Sequence, residues 1–182
     1  TPVTVTAAYK TILTLDDLAK LNAAELGELY VAGAVPANLA VLNGSARGRL
    51  LAVNMLEGTP LERVTRFIAA SRFFPWEGKS FDTRARKTGH GDNRVRLPFY
   101  SGRWFGFRTR IGRSRLDGED WALLDYDSAS NPRPLRHLRD ELREVAPGLY
   151  MGPALWRRGK PQSKSDPVTL LWFALDTRRA TQ

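Results

Sequence analysis

From Glu77 onward the chain is a succession of short segments in which apolar and polar residues alternate between turn-forming residues, and that rhythm restricts it to a β-rich fold. The segments span residues 79–84, 94–100, 103–111, 121–127, 149–157 and 168–175, with another at 49–55. One stretch, 135–145, has a different spacing. Leu135, Leu138, Leu142 and Val145 fall on one side of a helix that Pro147-Gly148 would stop. Six to eight mostly sequential strands with a few helices predict an α+β chain whose antiparallel sheet curls into a barrel or half-barrel. An orthogonal sandwich is the alternative.

The N-terminal third reads as helical. Thr14 with Asp17 begins a short helix carrying Leu15, Leu18 and Leu21. Asn22 with Glu25 begins a second, running through Leu26, Leu29 and Tyr30 to Gly33. Thr59-Pro60-Leu61-Glu62 is a third start, for a helix carrying Leu61, Val64, Phe67 and Ile68. The 182 residues, 42% of them hydrophobic, suit one domain, with 1–45 as a helical segment packed on a barrel of 46–182.

Asp117-Gly118 between strand-like segments is a two-residue hairpin signal. Pairing Leu116 with Glu119 sets Arg115 opposite Asp120, Arg110 opposite Asp125 and Arg108 opposite Asp127. The other face then carries Phe105, Phe107, Thr109, Ile111, Ala122, Leu124 and Tyr126, the side expected to point inward. Upstream, a Ser101-Gly102 turn would put Val95, Leu97 and Phe99 on the Arg108 side, with Pro98 as a bulge that resets the alternation.

Charge is grouped along the chain. Residues 84–115 hold ten Arg or Lys and one acid, Asp92, so this stretch alone carries a charge equal to the chain's net +9. Phe99, Tyr100, Trp104, Phe105 and Phe107 are threaded through it. Grouped cations among aromatics fit a partner with negative charge and flat or apolar parts. There is no cysteine, which excludes disulfides, thiol chemistry and Cys-based metal sites. No apolar run is long enough to span a bilayer, and the first residues lack a signal-peptide pattern, so the expectation is a cytoplasmic chain.

Several side chains could carry chemistry. Asp125 and Asp127 share one strand face and could divide acid and base roles, although their cross-strand arginines favour plain ion pairing. Tyr126, between them, points inward, where its hydroxyl could orient a ligand or donate a proton. Arg103 shares that parity and would be the inward cation for a carboxylate or phosphate. Of the five tryptophans, Trp76 at a barrel mouth, Trp104 and Trp172, together with Phe105, Phe107 and Tyr150, would wall an apolar ligand. His137 stands three, four and seven residues before Asp140, Glu141 and Glu144. Without Cys and with only one other histidine this reads as an ion-pair face, and neither a metal nor another cofactor is expected. Gly44 to Arg49 only faintly resembles a phosphate cradle, and no nucleophile elbow or dinucleotide fingerprint is present.

Asp125-Tyr126, followed by the run Arg139-Asp140-Glu141-Leu142-Arg143-Glu144-Val145-Ala146-Pro147-Gly148-Leu149-Tyr150-Met151-Gly152, resembles a signature of small bacterial proteins that are lipocalin- or calycin-like. The likeness extends to Trp76-Glu77-Gly78-Lys79-Ser80-Phe81 and to the Leu116-Asp117-Gly118 hairpin. Gly102-Arg103-Trp104-Phe105-Gly106 is similar to the Gly-x-Trp strand of lipocalins, which there opens the first strand and here lies mid-chain. What the resemblance implies is a small β-barrel with an apolar cavity.

Three functions follow as expectations. The first is a binder of a hydrophobic molecule with an anionic or polar head, such as a fatty or polyketide acid, with Arg103 on the head. The second is a cofactor-independent cyclase, isomerase or lyase in the same cavity, with Tyr126 as acid and a cavity-facing carboxylate as base. The third, disfavoured because the hairpin register neutralises its arginines, is nucleic-acid or anionic-surface binding through residues 84–115. About five phosphate contacts would give a slope near −4 to −5 in log salt.

Overall fold

A computed structural model describes residues 14–54, 58–59, 62–63, 76–84, 87–114, 116–159 and 166–178. Eight strands, β1 (Gly44–Val53), β2 (Trp76–Asp82), β3 (Thr88–Leu97), β4 (Tyr100–Arg113), β5 (Asp120–Asp125), β6 (Leu138–Ala146), β7 (Leu149–Trp156) and β8 (Val168–Asp176), follow one another in sequence order. Each is antiparallel to the next, and β8 pairs back onto β1 to close the barrel. This is the calycin-like α+β barrel expected, and closure leaves no sheet edge.

Among the described residues two α-helices precede it, each with the cap its sequence encodes. In α1 (Leu15–Leu18) the Thr14 hydroxyl accepts from the Asp17 amide. In α2 (Ala23–Ala32) Asn22 and Glu25 form a reciprocal capping box, and the helix ends at Gly33. The helix expected from Thr59 onward lies for the most part outside the described residues.

The barrel wall separates two apolar clusters. Inside lie Phe81, Phe107, Ala122, Leu124, Tyr126, Leu142, Tyr150, Phe173 and Leu175. Outside, beneath the helices, Leu18, Leu26, Leu29 and Tyr30 pack on Trp121, Leu123, Met151, Trp172 and Ala174. Strands β5 to β8 are therefore buried on both faces, which explains their near-continuous apolar character.

The expected helix at 135–145 is instead a short 3-10 turn, Arg133–His137, leading into β6. The helical spacing of its leucines is coincidental. Leu138, Asp140 and Leu142 alternate toward the interior, while Glu141, Arg143 and Val145 alternate toward the helices. Charged residues on both buried faces hid a strand whose period is two.

The β4–β5 register also differs from expectation by two residues. Arg108 stands opposite Asp125, Arg110 opposite Leu123 and Arg113 opposite Asp120. The loop is longer than a two-residue turn because Asp117 is used as a clamp. Its carboxylate accepts from the Glu119 amide, the Trp121 indole and Arg143, while the Ser114 amide bonds Glu119 across the base. A shift of two keeps every side chain on its face, so the inward set survives from Phe107 onward, while Phe105 leaves it. Arg115 lies outside the described residues. The reset of alternation expected at Pro98 occurs instead at Phe105-Gly106, where β4 has one residue more than β3 between Gly91 and Asn93. The turn is at Pro98-Phe99, not Ser101-Gly102, since Leu97 pairs with Tyr100.

Candidate functional site

A polar cluster is sealed inside the barrel, near the end where β2 begins. Lys79 on β2 is 3% exposed. Its ammonium donates to Asn93 Oδ1 at 2.7 Å and to the Tyr126 hydroxyl at 2.5 Å, and it pairs with Asp140 Oδ2 at 3.0 Å. Tyr126 in turn donates to Asp140 Oδ2 at 3.0 Å. Asn93 accepts from the Trp76 indole at 3.1 Å and donates to the Tyr126 hydroxyl at 3.2 Å and to the Phe105 carbonyl at 3.1 Å. The rings of Trp76, Phe107, Tyr126 and Phe173 surround the ammonium, with centroids 5.1–5.6 Å away.

Local backbone irregularities create this convergence. Strict alternation would send Trp76 and Lys79 to opposite faces. A bulge between Trp76 and Gly78 turns both inward, opposite Val95 and Asn93. Gly78 makes the bulge feasible: its φ is +135°, and a Cβ there would lie 2.1 Å from the Ala46 carbonyl oxygen. Asp140 enters because β6 is a strand.

Burial pushes the Lys79 ammonium below its ordinary value of 10.5, while the Asp140 carboxylate pulls it back up. Burial, reinforced by Asp140, raises the Tyr126 phenol well above 10. The trio therefore holds a proton on a chain running from amine through phenol to carboxylate. It offers a hydrogen-bond donor set, a potential nucleophilic amine and a carboxylate counter-ion within a low-dielectric box. Further along the same interior wall, the Thr109 hydroxyl is buried and has no hydrogen-bond partner among the described residues.

The nominated residues divide. Tyr126, Phe107, Tyr150 and Trp76 do line or adjoin the interior. Tyr150 packs there with its phenol raised by burial and by Glu144. Arg103 does not. Beyond the Phe105 bulge the faces exchange, so Arg103 points outward, its side chain 68% exposed and 3.7 Å from Asp92. Phe105 itself takes a left-handed φ of 54° and is 38% exposed, and Trp104 is 40% exposed at the rim. Trp172 lies on the outer face, edge-on to Tyr30 beneath the helices. Asp125 stands on the outward face opposite Arg108, where its carboxylate accepts from the Asp127 amide, so it takes no part with Tyr126. Lys79 and Asn93 were not singled out from sequence, and Asp140 was expected beside His137 on an ion-pair face, whereas it points into the barrel with Lys79 and Tyr126. The legible signal was Lys79 two residues before Phe81, an inward-facing phase. His137 stacks on Trp156, away from the cluster, and among the described residues no three His, Asp or Glu side chains converge as a metal site.

Outside the barrel, a cleft of about 660 Å³ is lined by Asp16, Arg47, Arg49, Glu77, Arg94 and Asp176 among others. Its three arginines face three acids: Arg49 pairs with Asp16, Arg94 with Glu77, and Arg47 stands opposite Asp176 across the β1–β8 ladder. Among the described residues, no helix is long and apolar enough to cross a membrane.

The fold has a solved counterpart. A crystal structure of a protein from Thermomonospora curvata superposes with a TM-score of 0.53 at 21% identity, covering 90% of this chain and 99% of that one. At that identity the likeness carries the fold alone. No family model matches the chain, and neither does any curated protein.

Proposed function

We propose that the chain binds a small apolar molecule with a polar head inside the barrel, the head meeting Lys79, Asn93 and Tyr126. The observation that carries this reading is the location of the cluster. Four polar side chains from β2, β3, β6 and the residue after β5 are gathered in an interior lined mainly by aromatic and aliphatic groups. A buried ion pair contributes little net stability against an apolar substitute, so stability alone does not account for it. Arg103 is replaced as head-group cation by Lys79. Because Asp140 already balances that charge, a neutral head such as a carbonyl fits better than a carboxylate, which would leave two anions against one cation. The buried Thr109 hydroxyl offers a second polar contact deeper in the barrel.

The second reading, a cofactor-independent isomerase or lyase, is favoured by one observation. Tyr126 is hydrogen-bonded to both Lys79 and Asp140, an arrangement able to give and take a proton beside a carbonyl. Native mass spectrometry of the freshly purified protein, followed by denaturing extraction, tests the first reading. A retained apolar molecule on wild type and bare protein for Lys79→Met are expected. Bare wild-type protein that also ignores a series of medium-chain aldehydes and acids would end it. Tyr126→Phe separates the two readings: a binder keeps its affinity within about tenfold, the loss of one hydrogen bond, whereas an enzyme loses turnover.

A further inference from the structure

The β3–β4 hairpin outreaches its neighbours. Val95 is paired with Trp76, the first residue of β2, so among the described residues Arg96, Leu97, Tyr100 and Ser101 pair only with each other beyond the barrel rim. Pro98-Phe99 forms the tip, and Phe99 is fully exposed. Register sorts the arm into two faces. Val95, Leu97, Tyr100 and Trp104 share one, and Arg94, Arg96, Ser101 and Arg103 share the other. On the apolar face Trp104 lies against Tyr100, its indole N–H donating to the Tyr100 hydroxyl at 3.4 Å, and packs edge-on to Phe105. Leu97, Tyr100, Trp104 and Phe105 are each between 38% and 49% exposed. Residues 93–108 contain four arginines and no acid. Arg96 and Arg103 reach back to Glu77 and Asp92 at the base of the arm, yet both side chains remain 68% exposed.

We propose that this hairpin is a membrane-contacting tip, with Phe99, Leu97, Tyr100 and Trp104 entering the interface of an anionic phospholipid bilayer while Arg96 and Arg103 meet its phosphates. The occupant is argued from charge and shape. An arm that is cationic on one face and aromatic on the other matches a surface that is anionic outside and apolar a few ångströms in. Trp and Tyr take the headgroup level, Phe goes deepest, and the long arginine stems let their heads stay with the phosphates. A convex tip of about five side chains falls well short of the roughly 800 Å² per partner of a standard protein interface, whereas a bilayer needs no matching pocket. A single-stranded nucleic acid stacks its bases on aromatics beside the cations that hold its backbone. Here the two sets lie on opposite faces.

The hairpin rises from the rim at which Trp76 and Asn93 close the interior cluster, but the proposal stands on the hairpin alone and holds whatever the barrel binds. Flotation of the full chain with phosphatidylcholine vesicles, with and without phosphatidylserine, tests it. Expected is flotation that requires phosphatidylserine, weakens with added salt, and falls about tenfold or more in Phe99→Asp. Because Phe99 touches solvent only, that variant should unfold at the wild-type temperature. The pair Arg96→Gln with Arg103→Gln should lower flotation about fivefold or more and serves as the second variant. Wild-type protein that fails to float with anionic vesicles at low salt, or Phe99→Asp that floats like wild type, overturns the proposal. So does Phe99-dependent retention of single-stranded DNA or of a protein without any flotation.

Discussion

Asp140 and Glu141 are neighbours on β6, both buried, and they point through opposite faces of the barrel wall into two different kinds of polar cluster. On the helix side, Glu141 accepts from Tyr30 at 2.8 Å and from Ser114 at 2.6 Å. Two residues on, Arg143 lies over Trp121, donates to the carbonyls of Tyr30 and Val31 at the end of α2, and pairs with Asp117 at 2.7 Å. Each of those bonds ties something that would otherwise be loose, either a helix end or the β4–β5 loop. On the interior side, Lys79, Asn93, Tyr126 and Asp140 join strands that are already hydrogen-bonded into a closed barrel. The same chemistry thus ties loose ends on one face, whereas on the other, apart from the Asn93 bond to the Phe105 carbonyl at the β4 bulge, it joins strands that are already paired. That contrast supports the proposal of a binding site inside the barrel.

The largest effect expected is on the helix side. Arg143→Met leaves the Val31 carbonyl and Asp117 Oδ2 without the guanidinium that they accept from, and should cost about 3–5 kcal/mol in urea unfolding. Adding Asp117→Leu should not rescue it, because Asp117 also holds the Glu119 amide and the Trp121 indole. Rescue would erase the distinction between the two clusters. Inside the barrel, Asp140→Leu alone strands the Lys79 ammonium and should cost about 3 kcal/mol. The double change Lys79→Met with Asp140→Leu should return stability to within about 1 kcal/mol of wild type. A double variant as poor as the single one would make the interior cluster structural as well.

A smaller effect sharpens the picture through pH. Burial first, opposed by Asp140, depresses Lys79 below 10.5 in the folded chain. Between the depressed value and 10.5 the unfolded chain binds the proton that the native state has released. Stability relative to the Lys79→Met, Asp140→Leu variant therefore rises with pH through that window, by less than the roughly 1.4 kcal/mol per pH unit of one full proton. Urea titrations of both proteins from neutral to alkaline pH measure it. A falling difference would mean the amine is held charged and is not available to a carbonyl.

Much was legible before any tertiary contact. The capping residues Thr14 and Asn22 start the two helices, and seven alternating segments match seven strands. The inward phase of Phe107, Ala122, Leu124 and Tyr126 survived a register error, because a shift of two preserves faces. These features rest on interactions within a few residues, or on a period that one segment displays by itself. The eighth strand, the outward turn of Arg103 and the convergence on Lys79 do not. Strand β6 carries charged residues on both buried faces, and only its partners make that tolerable. Bulges at Glu77 and Phe105 reverse alternation through backbone pairing with a neighbouring strand, which no single segment encodes. The sequence alone determined which residues could face inward together. The tertiary structure decided where the alternation breaks, and so placed a lysine, and not the arginine of the Gly-x-Trp segment, inside the barrel.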